Sequence, residues 1–534
     1  MRLQYIRIDH AASCGGLLDK VELRVSSKRD SLVLTPLCFV GRNGTGKSQL
    51  LQLLAEIFQA AWHQYAPAEE RETSNHEALF EIQYYASSPS EDRLVKLSRS
   101  RSEATKKVDV IEMAELHDDG WRVISPDSER FGANLPSLVV GYTSGDNETL
   151  SLPFFVSRGG YAEDVREAAL PNRERKSKPR KVADNRLLLI DYSTHLEVLV
   201  ANLLLSDLDA RNAIISHANL DDLASFRIIV QLNHSAAPRP PKGGSPRRKG
   251  IQLTEELETY ISSLSRSATC WHYDEKHEIY TFDFIADVAC RASFAHFFKS
   301  SIDLYKALHK LSLLNDLAIP KAARDRLRKE IETRRFASRL PEPQDEDKVF
   351  RFEQVRFTRR DKSAAHQVLD YVSLSDGEHQ FAEILGVFAM IRDDNVLFIL
   401  DEPESHFNPQ WRIKFTKMLL DLPIADRGKQ EVLLTTHAPF VPCDLPRTQV
   451  FIFSKESDGH LGIDSPEVET FGATFDRILE TCFSVRPPIS QIARDEINTL
   501  LSSGSAEEIK AALERLGPSV EKSFLADRAR QLGR

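Results

Sequence analysis

A glycine-rich segment near the start of the chain has the composition of a phosphate-binding loop. Residues 41–48 read GRNGTGKS, which fits the pattern G-x-x-x-x-G-K-[ST]. Glycines let the backbone curl so that several N–H groups point at a phosphate, and the following helix presents its positive end to the same anion. We expect Lys47 to reach the β- and γ-phosphates of a nucleotide and the Ser48 hydroxyl to help hold Mg²⁺. The residues expected to bind the nucleotide are Arg42, Asn43, Gly44, Thr45, Gly46, Lys47, Ser48 and Gln49.

Two carboxylates end an apolar segment far downstream. Residues 395–402 read NVLFILDE, and such an uninterrupted β-rich run predicts a strand that is buried on both faces of a parallel sheet. Acids at the end of a buried strand are costly unless they perform chemistry. Asp401 is placed to hold Mg²⁺ or its water, and Glu402 is placed to orient and polarise an attacking water.

A short segment upstream of this strand resembles a known signature. Residues 374–380 read LSDGEHQ, which is similar to the LSGGQ or LSGGE signature of ABC and SMC-type ATPases. Ser375 and Gly377 lie where a helix is expected to begin, and free N–H groups there can meet a γ-phosphate. Glu378 completes a pattern that also fits an ordinary capping box. Asp376 departs from the usual small residue and places an acid near the phosphate. In this family the signature acts across a dimer, so the resemblance implies that Ser375, Gly377 and Glu378 cap ATP bound by a second copy.

A histidine follows another predicted buried strand. Residues 431–440 read EVLLTTHAPF, and the strand ends near Thr435, Thr436 and His437. In ABC-type ATPases a histidine at this place contacts the γ-phosphate, and the resemblance implies the same role for His437. Phosphate loop, signature, acidic pair and histidine follow one another in the family's order. The resemblance therefore implies an ATP and Mg²⁺ site with Lys47, Glu402 and His437 as catalytic residues and a homodimer, or a higher oligomer, when ATP is bound.

The elements that must position these residues can be recognised in the pattern of apolar side chains. MRLQYIRI, VELRV and SLVLTPLCFV within residues 1–40 predict strands, and QLLQLLAEIFQAAWHQY at 49–65 predicts a helix. Residues 78–125 predict an antiparallel sheet. Together with the resemblance, these elements imply an α/β fold, namely an ABC-type ATPase head with a P-loop sheet, an antiparallel β-subdomain and a mostly helical insertion.

Bulk composition sets the broad class of protein. The chain has 534 residues, 41% of them hydrophobic and 28% charged, with a net charge of -9; this is a globular protein with more than one core and is not a general polyanion binder. Six scattered cysteines without a C-x-x-C pair argue against a zinc site or a disulfide framework. There is no apolar run of about 20 residues and no signal-peptide pattern at the N-terminus. We expect a cytoplasmic protein without contact to a membrane.

Changes in composition along the chain predict four parts. Residues 1–155 and 349–484 are expected to form the two halves of the ATPase head. Residues 156–348 are expected to form the insertion, mainly helical with basic flexible loops, and 485–534 a helical tail. Within the insertion we expect a mobile basic loop at 156–186, a mostly helical stretch at 187–232 and a Pro/Gly/Arg linker at 236–250.

Two basic patches in these loops could contact nucleic acid. The candidate contacts are Arg173, Arg175, Lys176, Lys178, Arg180 and Lys181, followed by Arg247, Arg248 and Lys249. Such patches give salt-dependent binding without sequence specificity. They are equally consistent with flexible, solubilising loops.

Three further segments narrow the resemblance. DEPESHFNPQWR at 401–412 is similar to the DEP-E-x-H-x-x-P-x-W pattern of soluble ATPases in bacterial defence and DNA maintenance. GYTSGDNETLSLPFF at 141–155 and ETFGATFDRILETCF at 469–483 resemble the PtuA ATPases of Septu and retron anti-phage systems and restriction-system-associated ATPases. In those systems the ATPase works with a separate HNH nuclease, PtuB. At the place of the Q-loop, Ser144 or Asn147 is expected to contact Mg²⁺ or to couple to the insertion, although a plain turn fits equally well.

Three functions are compatible with the sequence. The first is a regulatory ATPase that gates a partner nuclease of the HNH, PtuB-like kind and that can also use the basic patches to hold retron RNA or DNA. The second is a DNA-repair or maintenance ATPase of the Rad50/RecF kind that clamps DNA through the basic patches. The third is an ABC-head protein with its own nuclease residues at 190–345 or in the tail. Because no nuclease motif is visible in the sequence, the first hypothesis is favoured.

Overall fold

The computed structural model describes residues 1–11, 15–26, 34–73, 75–87, 92–102, 107–144, 148–169, 182–191, 194–218, 220–233, 248–333, 343–360, 366–422, 429–456, 459–486 and 488–532. The strands of these residues are β1 (Arg2–His10), β2 (Val21–Arg24), β3 (Leu37–Gly41), β4 (Leu79–Ser87), β5 (Asp92–Arg99), β6 (Glu112–His117), β7 (Gly120–Ile124), β8 (Leu138–Thr143), β9 (Leu187–Ile190), β10 (Asp222–Gln231), β11 (Cys270–Asp274), β12 (Ile279–Ile285), β13 (Phe350–Arg360), β14 (His366–Asp370), β15 (Val396–Asp401), β16 (Glu431–Thr435), β17 (Val450–Lys455) and β18 (Leu461–Asp464).

The helices of the same residues are α1 (Lys47–Tyr65), α2 (Glu129–Asn134), α3 (Glu148–Arg158), α4 (Tyr161–Ala169), α5 (His195–Leu205), α6 (Leu208–Ile215), α7 (Glu255–Ser267), α8 (Val288–Phe297), α9 (Ser301–Ser312), α10 (Lys321–Glu332), α11 (Asp376–Met390), α12 (Pro409–Leu420), α13 (Phe440–Cys443), α14 (Phe475–Phe483), α15 (Gln491–Ser503), α16 (Ala506–Arg515) and α17 (Val520–Leu532). No helix in the described part of the chain is both long enough and apolar enough to cross a membrane.

A seven-stranded sheet in the order β18-β17-β3-β16-β15-β8-β9 forms the centre of the head. All neighbouring pairs are parallel except the edge hairpin of β17 and β18. Its strands read as continuous apolar runs because both faces are covered, and all six residues of β15 are buried. Parallel strands bring their carboxyl ends to one edge of a sheet, and ligands bind at that edge in open α/β folds.

The residues of β15 contribute alternately to two separate cores. Val396, Phe398 and Leu400 pack into one core, which also contains the helices of the insertion. Leu397 and Ile399 pack into the other, which contains α1 and the β-subdomain. This alternation follows from the two-residue period of a strand, and the head sheet therefore lies between the two cores.

Two antiparallel sheets complete the α/β architecture. The first has the order β2-β1-β4-β5-β6-β7 and is the β-subdomain expected from residues 78–125. The second has the order β11-β12-β10-β13-β14. Among the described residues between 156 and 348, helices outnumber strands. The predicted fold class is confirmed in its architecture, an α/β fold with a parallel sheet that carries the P-loop, an antiparallel subdomain and a mostly helical insertion.

Strand pairing crosses the part boundaries that composition suggested. β9, within 156–348, pairs in parallel with β8 at the edge of the head sheet. β13 and β14, within 349–484, belong instead to the sheet of the insertion, where β13 pairs with β10. The prediction of a mostly helical stretch at 187–232 was therefore wrong at its two ends. Short apolar runs such as LLLI do not distinguish a strand from a helix, and here β-pairing decides.

The expectation of a loop at 156–186 was wrong for its first part. The end of α3 and all of α4 are helical, because Tyr161, Ala162 and Val165 form a buried face one turn apart. Glu163 and Asp164 in the first turn of α4 suit the positive end of the helix. The Arg- and Lys-rich part, 170–181, lies outside the described residues.

The C-terminal tail is helical, as expected. α15, α16 and α17 bury a small core of their own, built from Ile497, Ile509, Leu525 and Ala529. The charged segment Lys321–Glu332 forms a helix. Of the cysteines, Cys14 lies outside the described residues, and the other five are free thiols.

Candidate nucleotide-binding site

The predicted phosphate loop joins β3 to α1. Gly41 ends β3 with a φ of 139°, and a Cβ built there would lie 2.4 Å from the carbonyl oxygen of Phe453 on β17. Gly46 precedes α1 in the left-handed region, with a φ of 84°. These two positions admit only glycine without strain, so the spacing of the motif follows from the close approach of β17 and from the sharp entry into the helix.

Lys47 lies buried beneath the loop. Its Nζ donates hydrogen bonds to the carbonyl oxygens of Gly41 at 3.0 Å and Arg42 at 3.1 Å. Burial lowers the pKa of Lys47 to about 8, although the nearby Glu402 and Asp401 favour its charged form. A nucleotide phosphate would replace the carbonyl oxygens with negative charge, which an ammonium favours much more strongly.

Ser48 and Asp401 meet at the carboxyl edge of the head sheet. The Ser48 hydroxyl donates to Asp401 Oδ1 at 2.9 Å, and the Thr435 hydroxyl donates to the same oxygen at 2.5 Å. Asp401 stands opposite Thr435 on β16 and opposite Thr143 on β8 in the strand register. Burial raises the pKa of Asp401. Hydroxyl and carboxylate oxygens so close together suit Mg²⁺, which takes few protein ligands and completes its shell with water and phosphate.

Glu402 and His437 form a pair at the mouth of the site. His437 Nε2 lies 3.1 Å from Glu402 Oε1. The hydrogen bond from His437 lowers the pKa of Glu402, so this carboxylate is charged at neutral pH. Glu402 has a φ of 49°, which is unusual for a residue other than glycine. Its N–H donates to Thr435 Oγ1 at 3.0 Å, and this bond holds the strained turn. Local strain of this kind is common at functional residues.

These groups surround a cavity of about 530 Å³. Its lining contains every predicted residue from Asn43 to Gln49, together with Glu402 and His437. Asp401 is buried next to Ser48. Arg42 is exposed and contributes its carbonyl oxygen to the Lys47 ammonium. The structure thus brings together residues that are more than 350 positions apart in the sequence.

Two residues of the lining were not found from the sequence. Leu17 comes from the turn between β1 and β2, and Thr149 from the start of α3. Neither residue belongs to a phosphate-binding pattern. The only signal for Thr149 is its place just after β8, the strand that neighbours β15.

The signature residues lie apart from this cavity. Ser375 precedes α11, and its hydroxyl accepts from the Glu378 N–H while the Glu378 carboxylate accepts from the Ser375 N–H. This is the capping box that the sequence also allowed. Ser375 is exposed, and none of Ser375, Gly377 and Glu378 lines the cavity of the same chain. A Cβ on Gly377 would lie 2.9 Å from the carbonyl oxygen of His406, so the turn after β15 packs against the start of α11.

The remaining candidates fall partly outside the described residues. The carbonyl oxygen of Ser144 accepts a hydrogen bond from His406 Nε2 at 3.1 Å, whereas Asn147 lies outside. Outside as well are all the basic candidates from 173 to 181, and Arg247. Arg248, one of the candidate contacts, is engaged within the protein: its guanidinium donates to both oxygens of Glu258, at 2.7 and 2.5 Å. Lys249 Nζ donates to the carbonyl oxygen of Glu275 at 2.8 Å.

Comparison with known proteins gives a family match. The sequence matches the profile of the family described as "AAA domain, putative AbiEii toxin, Type IV TA system" over residues 37–444, which is more than half of the chain. No curated protein matches the sequence.

Solved structures show a weaker likeness. The structure "Crystal structure of the SmcHead bound to the C-winged helix domain of ScpA" has 9% identity and a TM-score of 0.29, covering 87% of this chain and 97% of that chain. The "SMC head domain from Thermotoga maritima" has 11% identity and a TM-score of 0.32, covering 88% of this chain and 100% of that chain. TM-scores this low do not establish a shared fold. The fold is defined by the strand order given above.

Proposed function

Because the chain belongs to this AAA-domain family, we propose that it is an ATP-binding and ATP-hydrolysing protein. One observation carries the proposal: the Lys47 ammonium, the Ser48–Asp401 bond and the Glu402–His437 pair converge on one cavity at the carboxyl edge of a parallel sheet. A structural lysine or a chance acidic turn would not require all these groups at one place. The arrangement fits phosphoryl transfer to water, in which the protein mainly positions groups and stabilises charge.

Each side chain has a defined part in this reaction. The N–H groups of the loop and Lys47 would bind the β- and γ-phosphates. Ser48 and Asp401 would hold Mg²⁺, which when bound neutralises charge on the phosphate oxygens. Glu402, held charged by His437, would accept a hydrogen bond from the attacking water and orient it. His437 would donate from Nε2 either to Glu402 or to a γ-phosphate oxygen, which links the two groups.

We further propose that ATP joins two copies of the chain. The exposed Ser375 at the start of α11 lies outside the cavity of its own chain. In a second copy the same segment could close over the γ-phosphate, and its serine and N–H groups would then meet a ligand. Such closure depends on ATP because the γ-phosphate, which ADP lacks, would be contacted by the phosphate loop of one copy and by the signature segment of the other.

The biological role we propose is control of a partner nuclease in anti-phage defence. The segments at 141–155 and 469–483, with their likeness to PtuA ATPases, support this role. The family description names a toxin of a toxin–antitoxin system, and on that description we infer that this chain also works with a second component. The partner we favour is an HNH nuclease, gated by movement of the insertion when two heads close.

The test uses the purified chain with ATP and Mg²⁺. We expect the Glu402→Gln variant to bind ATP with near-normal affinity and to form dimers in sedimentation, while ATP hydrolysis falls by about 100-fold or more. Lys47→Ala should abolish binding. Hydrolysis by Glu402→Gln at the unmutated rate would show that Glu402 does not activate the water. A pull-down from the native host would then show whether a small nuclease accompanies the ATP-bound dimer.

A further inference from the structure

A second buried acid lies just behind the site and has no part in the reaction proposed above. Glu404 belongs to the turn after β15 and is 3% exposed. Burial raises its pKa to about 7, and the hydrogen bond from Thr436 and the nearby Arg412 only partly oppose this. Its Oε2 has no hydrogen-bond partner within the described residues. A buried acid of this kind lowers stability, and its place next to the site suggests a function.

The contacts of Glu404 lead directly to His437. The Thr436 hydroxyl donates its proton to Glu404 Oε1. The same hydroxyl oxygen accepts a hydrogen bond from the Ala438 N–H at 2.9 Å. Thr436 and Ala438 are the two neighbours of His437 in the chain, so one carboxylate fixes the backbone on both sides of the histidine.

The rest of this turn is fixed by other groups. The Thr436 N–H donates to the carbonyl oxygen of Phe39 on β3 at 3.1 Å. Thr436 is completely buried, whereas the His437 side chain is 32% exposed and reaches Glu402 at the cavity. His437 thus extends from a turn whose buried side is held by Glu404, and a small rotation of that turn would move its Nε2 away from Glu402.

We propose that Glu404 is a positioning residue that acts through Thr436 to aim His437 at Glu402 and at the γ-phosphate. The proposal rests on the proposed ATPase function and adds a residue to its machinery. The essential element is the hydrogen-bond acceptor at Oε1 and not the charge of the carboxylate. Glutamine at this position would keep the acceptor, and leucine would remove it.

The test compares variants that keep or remove this connection. Thr436→Val and Glu404→Leu break it, whereas Thr436→Ser and Glu404→Gln preserve it. Thr470→Val is a matched control, because Thr470 is also completely buried and donates its hydroxyl to a carbonyl oxygen, that of Leu445, at 2.6 Å. We would measure kcat and KM for ATP, together with the affinities for ADP and for a non-hydrolysable ATP analogue.

The expected result separates positioning from a general loss of structure. Thr436→Val and Glu404→Leu should lower kcat by about 10- to 100-fold, since small misplacements at a catalytic site have effects of that size. KM and ADP affinity should change less than about threefold, because the phosphate loop is untouched. Thr436→Ser, Glu404→Gln and the Thr470→Val control should keep a near-normal kcat.

Other outcomes would overturn the proposal. An unchanged kcat in Thr436→Val, or an equal loss in Thr470→Val, would show that the connection does not position His437. If the unmutated chain binds ATP without hydrolysing it, the proposed function fails. The positioning role is then decided by the preference for the ATP analogue over ADP. Thr436→Val should reduce that preference several-fold, and an unchanged preference would refute the role. If Thr436→Val does not fold, Glu404→Leu against Glu404→Gln gives the same comparison.

Discussion

The buried Lys47 ammonium should make nucleotide binding depend on pH in a range where an ordinary lysine does not titrate. Its pKa is lowered from 10.5 to about 8 by burial. Bound phosphates stabilise the charged form and raise this pKa again. Above pH 8 the Lys47 amine of the free protein is therefore mostly deprotonated, whereas the nucleotide complex needs the charged ammonium. Binding at such a pH takes up one proton from solution.

The size of the effect follows from the fraction of Lys47 that is protonated. With a pKa of about 8, roughly nine-tenths of the free protein carries the charge at pH 7 and roughly one-tenth at pH 9. The dissociation constant for ATP should thus rise about tenfold between these pH values, equivalent to about 1.4 kcal/mol. A lysine with the ordinary pKa would give almost no change in this range.

The measurement is isothermal titration calorimetry of the unmutated chain with a non-hydrolysable ATP analogue and Mg²⁺ at constant ionic strength, because the Glu402 carboxylate itself raises the pKa of Lys47. Repeating it at pH 9 in buffers of different ionisation enthalpy counts the protons taken up, and we expect close to one. Lys47→Arg is the control, because a guanidinium stays charged at both pH values. A dissociation constant that is flat from pH 7 to pH 9, with no proton uptake, would refute the reasoning.

Further predictions concern stability and assembly. Gly41→Ala should lower the free energy of unfolding by about 1–3 kcal/mol, because the new Cβ would clash with a buried backbone carbonyl. In the control Gly517→Ala the new Cβ lies in open space, so the free energy of unfolding should change by less than about 0.5 kcal/mol. Denaturant titration measures both variants. Ser375→Ala should reduce ATP-dependent dimers in sedimentation while the monomer still binds ATP; retained dimers would argue against a signature across the interface. Arg248→Ala should cost about 2 kcal/mol and leave any nucleic-acid binding in gel-shift assays unchanged. Glu404→Gln should raise Tm relative to the unmutated chain at pH 8 and not at pH 5. The pKa of Glu404 is raised, so the contribution of this residue to stability is lost as the pH rises through about 7. Equal shifts in Tm at both pH values would contradict this.

Much of the site could be predicted because its residues end neighbouring parallel strands. The sequence placed Asp401 and the loop after Gly41 at strand ends, and parallel strands bring such ends to one edge. The bond from Thr435 to Asp401 could not be predicted, because it depends on the register between β15 and β16. Thr149 and Glu404 were missed for a related reason. Neither belongs to a local sequence motif, and the tertiary structure places each of them at or near the site.

The insertion was harder to predict than the head. Its sheet joins β10 to β13, so Ile228 pairs with Phe352 across more than a hundred intervening residues. Periodicity identifies a single segment and does not say which distant segment it pairs with. The helix α4 was not predicted for another reason. The Arg- and Pro-rich segment after Ala169 dominates the composition of residues 156–186, for which a loop was predicted.

The order of strands in the head sheet has a consequence for synthesis of the chain. β3 lies between β16 and β17, and these neighbours emerge from the ribosome roughly 400 residues later. At about 5–20 residues per second, β3 waits roughly 20–80 seconds for its partners. During that time the β-subdomain and α1 can pack together, but the apolar face of β3 that belongs to the other core stays uncovered. We therefore expect early termination products of this chain to aggregate.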